Sequence, residues 1–251
     1  MKKIANILII FLVLYFISGI GCNCNGKNNK KIYYDSQRTN SRHDQKINNF
    51  IFITSVLTLE EETILAEMTA SGYIIDTSSS HVFVITANHF CDPAHYKQNK
   101  KNNAIGTREI IGLNKDYSRD LSIISVDKES DICLLSGIKS KEEKYKPVVF
   151  AEEMPAIGDK VYTVAAPASI TGPDMTLLFE GYFSGCETSI SCAFSIPSTF
   201  GASGAAIYNK RGEVVSMIIS VPSNFRHVSY GPSIKHIRKI VEELKSNVEI
   251  K

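Results

Sequence analysis

The chain has 251 residues, 43% of them hydrophobic and 22% charged, which excludes pervasive disorder and a multi-span membrane protein and allows one or two domains. Its net charge of +2, from 28 basic and 26 acidic residues, gives no reason to expect a nucleic-acid partner. The charge is unevenly spread: residues 1–21 carry +2, residues 22–50 carry +4, and the other 201 carry −4.

Met1-Lys2-Lys3 opens the chain, and residues 4–21 follow without a charge. A basic start before an apolar run fits an export signal, and the run is also just long enough to span a bilayer. Gly21-Cys22 then ends it. The junction resembles a bacterial lipoprotein signal, which makes Cys22 the candidate lipidation site, although Gly19 stands where that signal usually has Leu. Three readings stay open here: a lipidated, an uncleaved or a cleaved leader. Each puts the body outside the cytosol, in the cell envelope or secreted, with the membrane as a partner of the N-terminal segment. Residues 22–49 hold seven Asn and little apolar surface, and read as a flexible polar linker.

From Phe50 to the end at Lys251 the pattern is one of strands. Apolar, β-branched runs of four to eight residues alternate with Gly, Pro, Asn and Ser. They fall at Ile51–Leu57, Gly72–Ile75, Val82–Thr86, Glu109–Leu113, Leu121–Val126, Ile132–Leu135, Val148–Phe150, Lys160–Ala165, Met175–Tyr182, Ala193–Ile196, Ala206–Asn209 and Val214–Val221. Asn209-Lys210-Arg211-Gly212 reads as a hairpin turn, since Gly212 is free to take a positive φ. Ser233 is placed to cap a helix whose apolar residues Ile234, Ile237, Ile240, Val241 and Leu244 recur three or four apart. The expected fold is all-β, as two packed barrels or a large sandwich, with a C-terminal helix.

Three short stretches carry chemistry. Thr86-Ala87-Asn88-His89 follows a strand, Ser130-Asp131 opens one, and Gly201-Ala202-Ser203-Gly204 precedes one. Singly each is weak. Together they put His, Asp and Ser, in that order, at strand edges, as in a nucleophilic triad. The other large serine-hydrolase pattern, Gly-x-Ser-x-Gly on a strand-to-helix elbow, is disfavoured because residue 205 is Ala and Ser comes last. Asp120 is a poorer candidate acid than Asp131, and His81 and His95 are poorer bases than His89.

These stretches, with Ser71-Gly72-Tyr73-Ile74-Ile75 and the residues after Ser203, resemble the trypsin-like serine peptidases of the short bacterial and viral type. The resemblance implies a chymotrypsin-like pair of six-stranded barrels with the site between them. It implies Ser203 as nucleophile, His89 as base, Asp131 as its orienting acid, and the N–H groups of Gly201 and Ser203 as the oxyanion hole. Ala202 departs from the Asp or Asn usual there, so activation by pairing that acid with a new amino terminus is not expected. Ala205 replaces a usual Gly.

By the same resemblance, substrate contacts are expected from the strand Ser216–Ser220, with Ile218, Ile219 and Ser220 among them, and from Ser195, Ile196, Pro197 and the segment Arg226–Ser229, His227 included, around the pocket before the cut. The expected partner is a polypeptide substrate. No cofactor and no metal are expected, because His89-Phe90-Cys91-Asp92 with His95 has no standard zinc spacing. Cys186 and Cys192 flank a short loop and are read as a disulfide, whereas Cys91 and Cys133 are left as a pair or as buried thiols. The functional expectation is an exported, membrane-tethered serine endopeptidase. The alternatives are an inactive peptide-binding module of the same fold and a β-sandwich binding protein.

Overall fold

A computed structural model describes residues 49–58, 64–78, 80–92, 107–113, 117–143, 145–172 and 175–249. The leader, most of the linker, Cys22 and His95 lie outside the described residues. The first half forms seven strands: β1 (Phe50–Thr58), β2 (Ile64–Thr77), β3 (His81–Ala87), β4 (Thr107–Leu113), β5 (Ser118–Asp120), β6 (Ser122–Asp127) and β7 (Ile132–Ile138). They lie in the antiparallel order β5-β4-β1-β2-β3-β7-β6. The two end strands are one stretch of chain, broken only at Leu121, whose N–H turns to Ile110 O at 2.8 Å. The break bends the stretch so that β5 pairs with β4 while β6 pairs with β7, and the sheet curls into a barrel.

The second half repeats the device. Strands β8 (Lys160–Ala165), β9 (Leu177–Thr188), β10 (Ser191–Phe194), β11 (Ala206–Asn209), β12 (Val214–Met217) and β13 (Ser229–Gly231) are ordered β12-β11-β8-β9-β10-β13. The run after β12 bends at Ile218, and Ile219 N–H then donates to Tyr230 O of β13 at 2.9 Å. The single strand expected over Val214–Val221 is therefore split between two edges. Val148–Phe150 is not a strand but the connection between barrels: Val148 N–H reaches Ile74 O at 3.1 Å, and Val149 O accepts from Val214 N–H at 2.8 Å. The Asn209–Gly212 turn forms as expected, with Gly212 at φ 85°.

Strand β7 is buried on both faces, which explains its unbroken apolar run. Cys133 and Leu135 face the core of the first barrel with Ile51, Ile53, Val82 and Val84, while Ile132 and Leu134 join the larger core of the second barrel. The C-terminal helix (Ile234–Glu249) packs its five expected apolar residues into that larger core. Ser233 O accepts the N–H of Ile237 at 3.0 Å, and Ser233 Oγ that of His236 at 3.4 Å, which starts the helix as expected. The His236 ring hydrogen-bonds Ser130 Oγ, tying the helix to the turn before Asp131.

Two disulfides, Cys91–Cys133 and Cys186–Cys192, point to an oxidising, extracytoplasmic environment. Among the described residues no helix is long and apolar enough to cross a membrane.

Candidate active site

Pairing of Ala87 with Ile132 across β3 and β7 brings the residues just beyond each strand end together. Asn88–Cys91 make a single helical turn there, α1, and Asp131 faces it with φ 55°, a left-handed conformation that Asp tolerates better than most residues. Asp131 then grips this turn three times. Its carbonyl accepts the N–H of Asn88 at 2.9 Å, its Oδ1 the N–H of His89 at 2.6 Å, and its Oδ2 meets His89 Nδ1 at 2.6 Å. Both side chains stay partly exposed, so the pair is reachable from solvent. Asp120 lies instead on β5, beside β4. His81 opens β3 and pairs through Nδ1 with Ser80 Oγ at 2.8 Å.

Ser203 sits half-buried on the turn between Phe200 and β11. Gly204 beside it is required by space as well as by its φ of 89°, because a Cβ there would lie 2.1 Å from Ser71 O. Gly201 has the same φ of 89°, and its Cβ would lie 2.5 Å from Ala166 O. Along this turn three of the amides are tied down. Ala202 N–H donates to Thr199 O at 3.1 Å, Gly204 N–H to Ile218 O at 2.7 Å, and Ala205 N–H to Ala202 O at 3.0 Å. Among the described residues, the N–H groups of Gly201 and Ser203 have no such partner.

His89, Gly201 and Ser203 all line one cleft of about 550 Å³, together with Ile218, Ile219 and Ser220. The other expected contacts lie elsewhere. Ser195 Oγ accepts the N–H of Tyr182 at 2.9 Å, Pro197 is not on the cleft wall, and exposed His227 meets the Phe225 ring edge-on, 5.4 Å between centroids. The cleft wall has members that the sequence reading did not name as substrate contacts: Ser198, Thr199 and exposed Phe200, and with them Met68 and Thr69. Arg226 braces the first set. Its carbonyl accepts the N–H of Ser198 at 2.9 Å, its Nη1 donates to Thr199 Oγ1 at 2.7 Å, and its guanidinium lies 5.6 Å from the Phe200 ring centre. A Gly-rich turn flanked by Ser and Thr was the only local signal for this wall. Cys91, a metal-ligand type close to His89, has its sulfur committed to Cys133.

Comparison with known proteins agrees with this fold. The chain resembles a serine endoprotease from Yersinia pestis with a TM-score of 0.60 at 16% identity, over 81% of this chain and 65% of that one. It resembles the active form of the Rv3671c protease from M. tuberculosis with a TM-score of 0.58 at 14% identity, over 80% of this chain and 82% of that one. An inactive form of Rv3671c gives 0.57 at 12% identity, over 83% and 92%. At these identities the likeness shows the fold, which is chymotrypsin-like as expected. The chain thus spans about two thirds of the Yersinia protein's length. No curated protein matches the sequence. The sequence signature of the trypsin-like peptidase domain matches residues 70–217, more than half of the chain, and supports the expected class of serine endopeptidase hydrolase. The chain belongs to the trypsin-like peptidase domain family.

Proposed function

We propose that the protein is an exported serine endopeptidase, held at the membrane by its N-terminal segment, that cleaves peptide bonds through His89, Asp131 and Ser203. The observation that carries this reading is the shared cleft: a histidine pinned at two points by one carboxylate opens onto the same space as Ser203 and Gly201, whose N–H groups have no backbone partner among the described residues.

The chemistry follows from that arrangement. A neutral serine hydroxyl is a weak nucleophile until a base takes its proton. Asp131 Oδ2 keeps the imidazole proton on Nδ1, so that Nε2 is the nitrogen that acts as base toward Ser203. As Ser203 Oγ bonds to the scissile carbonyl carbon, its proton passes to Nε2, and Asp131 stabilises the cation formed. Negative charge develops on the carbonyl oxygen, and the N–H groups of Gly201 and Ser203, which have no backbone partner among the described residues, are the donors for it. The imidazolium then protonates the leaving amine, and water repeats the sequence on the acyl-enzyme.

An extended substrate has an edge to pair with. Ser220 is bonded to Tyr230 in both directions, at 2.9 and 3.3 Å. Among the described residues, the carbonyl of Ile219 and the backbone of Val221 have no backbone partner, and both residues line the cleft. A peptide strand added there would present its scissile bond to Ser203.

The two disulfides support export, and the apolar run at residues 4–21 before Cys22 supports a tether. The test is covalent labelling with a fluorophosphonate. Label on Ser203 that is lost in His89→Ala is the expected result, and an unlabelled protein overturns the reading.

A further inference from the structure

Ser71 is fully buried in β2, yet every polar atom it has is used, and each leads to the candidate site. Its carbonyl accepts from Thr86 Oγ1 at 2.8 Å, three residues before His89. Its N–H donates to the carbonyl of Ser203 at 2.8 Å. Its hydroxyl accepts the N–H of Ala166 at 3.1 Å and donates to the carbonyl of Gly201 at 2.8 Å. One side chain of the first barrel thus joins two segments of the second.

The segment beyond Ala166 is strained. Ala168 and Ser169, neither of them glycine, stand at φ 53° and 60°. Such conformations persist only where their surroundings hold them, and they gather at functional sites. Here the strained turn does a definite job: Ala168 N–H donates to Phe200 O at 2.6 Å. Phe200 O and the Gly201 N–H belong to the same planar peptide, so fixing the carbonyl toward the turn fixes the N–H the opposite way. The same turn lies close against Gly201, where a Cβ would meet Ala166 O at 2.5 Å. A second tie, Thr69 Oγ1 to Ser169 Oγ at 2.8 Å, again joins β2 to the turn.

We propose that Ser71 is a positioning residue for the reaction: its hydroxyl locks the strained 166–169 turn to the Gly201 carbonyl and so holds the Phe200–Gly201 peptide with its N–H toward the cleft. The role rests on the reading of Ser203 and Gly201 given above. It acts where charge develops in the transition state, not where the ground-state substrate binds. Loss of the hydroxyl should therefore appear in kcat and leave KM nearly unchanged.

The experiment uses the full chain and three variants, Ser71→Ala, Ser71→Thr and Thr69→Ala. Leaving a buried carbonyl and amide without their shared partner should lower kcat for a peptide substrate by roughly 10–100-fold, with KM held within about threefold. Affinity for a peptide boronate should fall by the same factor. Ser71→Thr, which keeps the hydroxyl, should restore most of the loss, and Thr69→Ala should cause a smaller loss of the same kind. A readout independent of turnover is the Gly201 amide resonance, expected to be single and sharp in the parent and shifted or broadened in Ser71→Ala. A Ser71→Ala protein with unchanged kcat, or with raised KM alone, overturns the role. If Ser71→Ala does not fold, Thr69→Ala decides: unchanged kcat and an unchanged Gly201 resonance overturn it. If the parent neither cleaves peptides nor takes a fluorophosphonate, the functional reading fails, and the resonance still judges the positioning.

Discussion

Cys91 and Cys133 are bonded across the same 42-residue separation as His89 and Asp131, each cysteine two residues past one member of that pair. The disulfide therefore staples the turn that carries the base to the strand that follows the acid, from the buried side. His89 lines the cleft, and the cysteines lie in the core of the first barrel. Removing the staple should cost stability by relaxing a loop of this length in the unfolded chain, about 3–4 kcal/mol in the chain-entropy account. It should also cost several-fold in turnover, since the three bonds from Asp131 remain. The measurement is urea unfolding and peptide hydrolysis of a Cys91→Ala/Cys133→Ala double variant. A variant as stable as the parent would show that the staple adds nothing.

Ser203→Ala should leave the fold intact and abolish hydrolysis, with turnover down about 10⁴–10⁶-fold. Asp131→Asn tests a subtler point. The amide is the same size, but one end now offers N–H groups where the carboxylate accepted from two donors, the backbone N–H and Nδ1 of His89. The imidazole is then driven to the wrong tautomer, and a loss on the order of 10⁴ in kcat is expected. Circular dichroism and titration with a labelled inhibitor establish that both variants fold. Near-parental turnover in either one contradicts the assigned roles.

Glu213 closes the hairpin that follows Ser203. The Arg211 guanidinium, 2.7 Å from Glu213 Oε2, and then the Asn209 amide at 2.8 Å hold its carboxyl below the usual carboxylate range. A depressed folded value means that this contribution is present above the unfolded carboxylate pKa and is lost as pH falls through the folded one. Arg211 is well exposed, so solvent screens the pair and the effect is small. Glu213→Gln should lower Tm by about 1–3 °C at neutral pH. The gap should close as the pH drops below the ordinary carboxylate range. A gap that widens in acid reverses the sign of the argument.

Much of this was legible in the residues because it is local. Alternation and β-branching marked most strands, and the spacing from Ile234 to Leu244 marked the helix. The bend at Ile218 was not legible, since the apolar run continues through it and only the pairing partner changes, and β5 was missed because Ser118-Arg119-Asp120 carry no apolar pattern ahead of Leu121. Strand β13 was missed because three residues, Ser229–Gly231, carry no period of their own. Ser71 read as an ordinary strand residue because its contacts span 95 and 130 positions, to Ala166 and Gly201. Local pattern cannot report a hydroxyl shared between barrels. The triad candidates stood out through their order, His89 then Asp131 then Ser203, each at a strand end, since no one of the three stretches is specific alone.

The body should need no cut at its N-terminus to become active. In the zymogen switch, a new amino terminus pairs with an acid beside the nucleophile, and the ion pair orders the oxyanion turn. Ala202 occupies that place, buried and without a carboxylate. The turn is ordered by other means: Ala202 N–H on Thr199 O at 3.1 Å, Gly201 O on Ser71 Oγ at 2.8 Å, and Phe200 O on Ala168 N–H at 2.6 Å. These are neutral hydrogen bonds internal to the fold. They avoid the desolvation penalty of several kcal/mol per ion that a buried pair must overcome. Chain entry is also settled without cleavage, since Phe50 already pairs with Tyr73 at the start of β1. The test compares the full chain, purified without proteolysis, with the chain trimmed to begin at Thr39. Equal specific activity per fluorophosphonate-titrated site is expected. A full chain that is silent until trimmed would mean that another acid receives the new terminus and that the bonds around Gly201 form only after the cut.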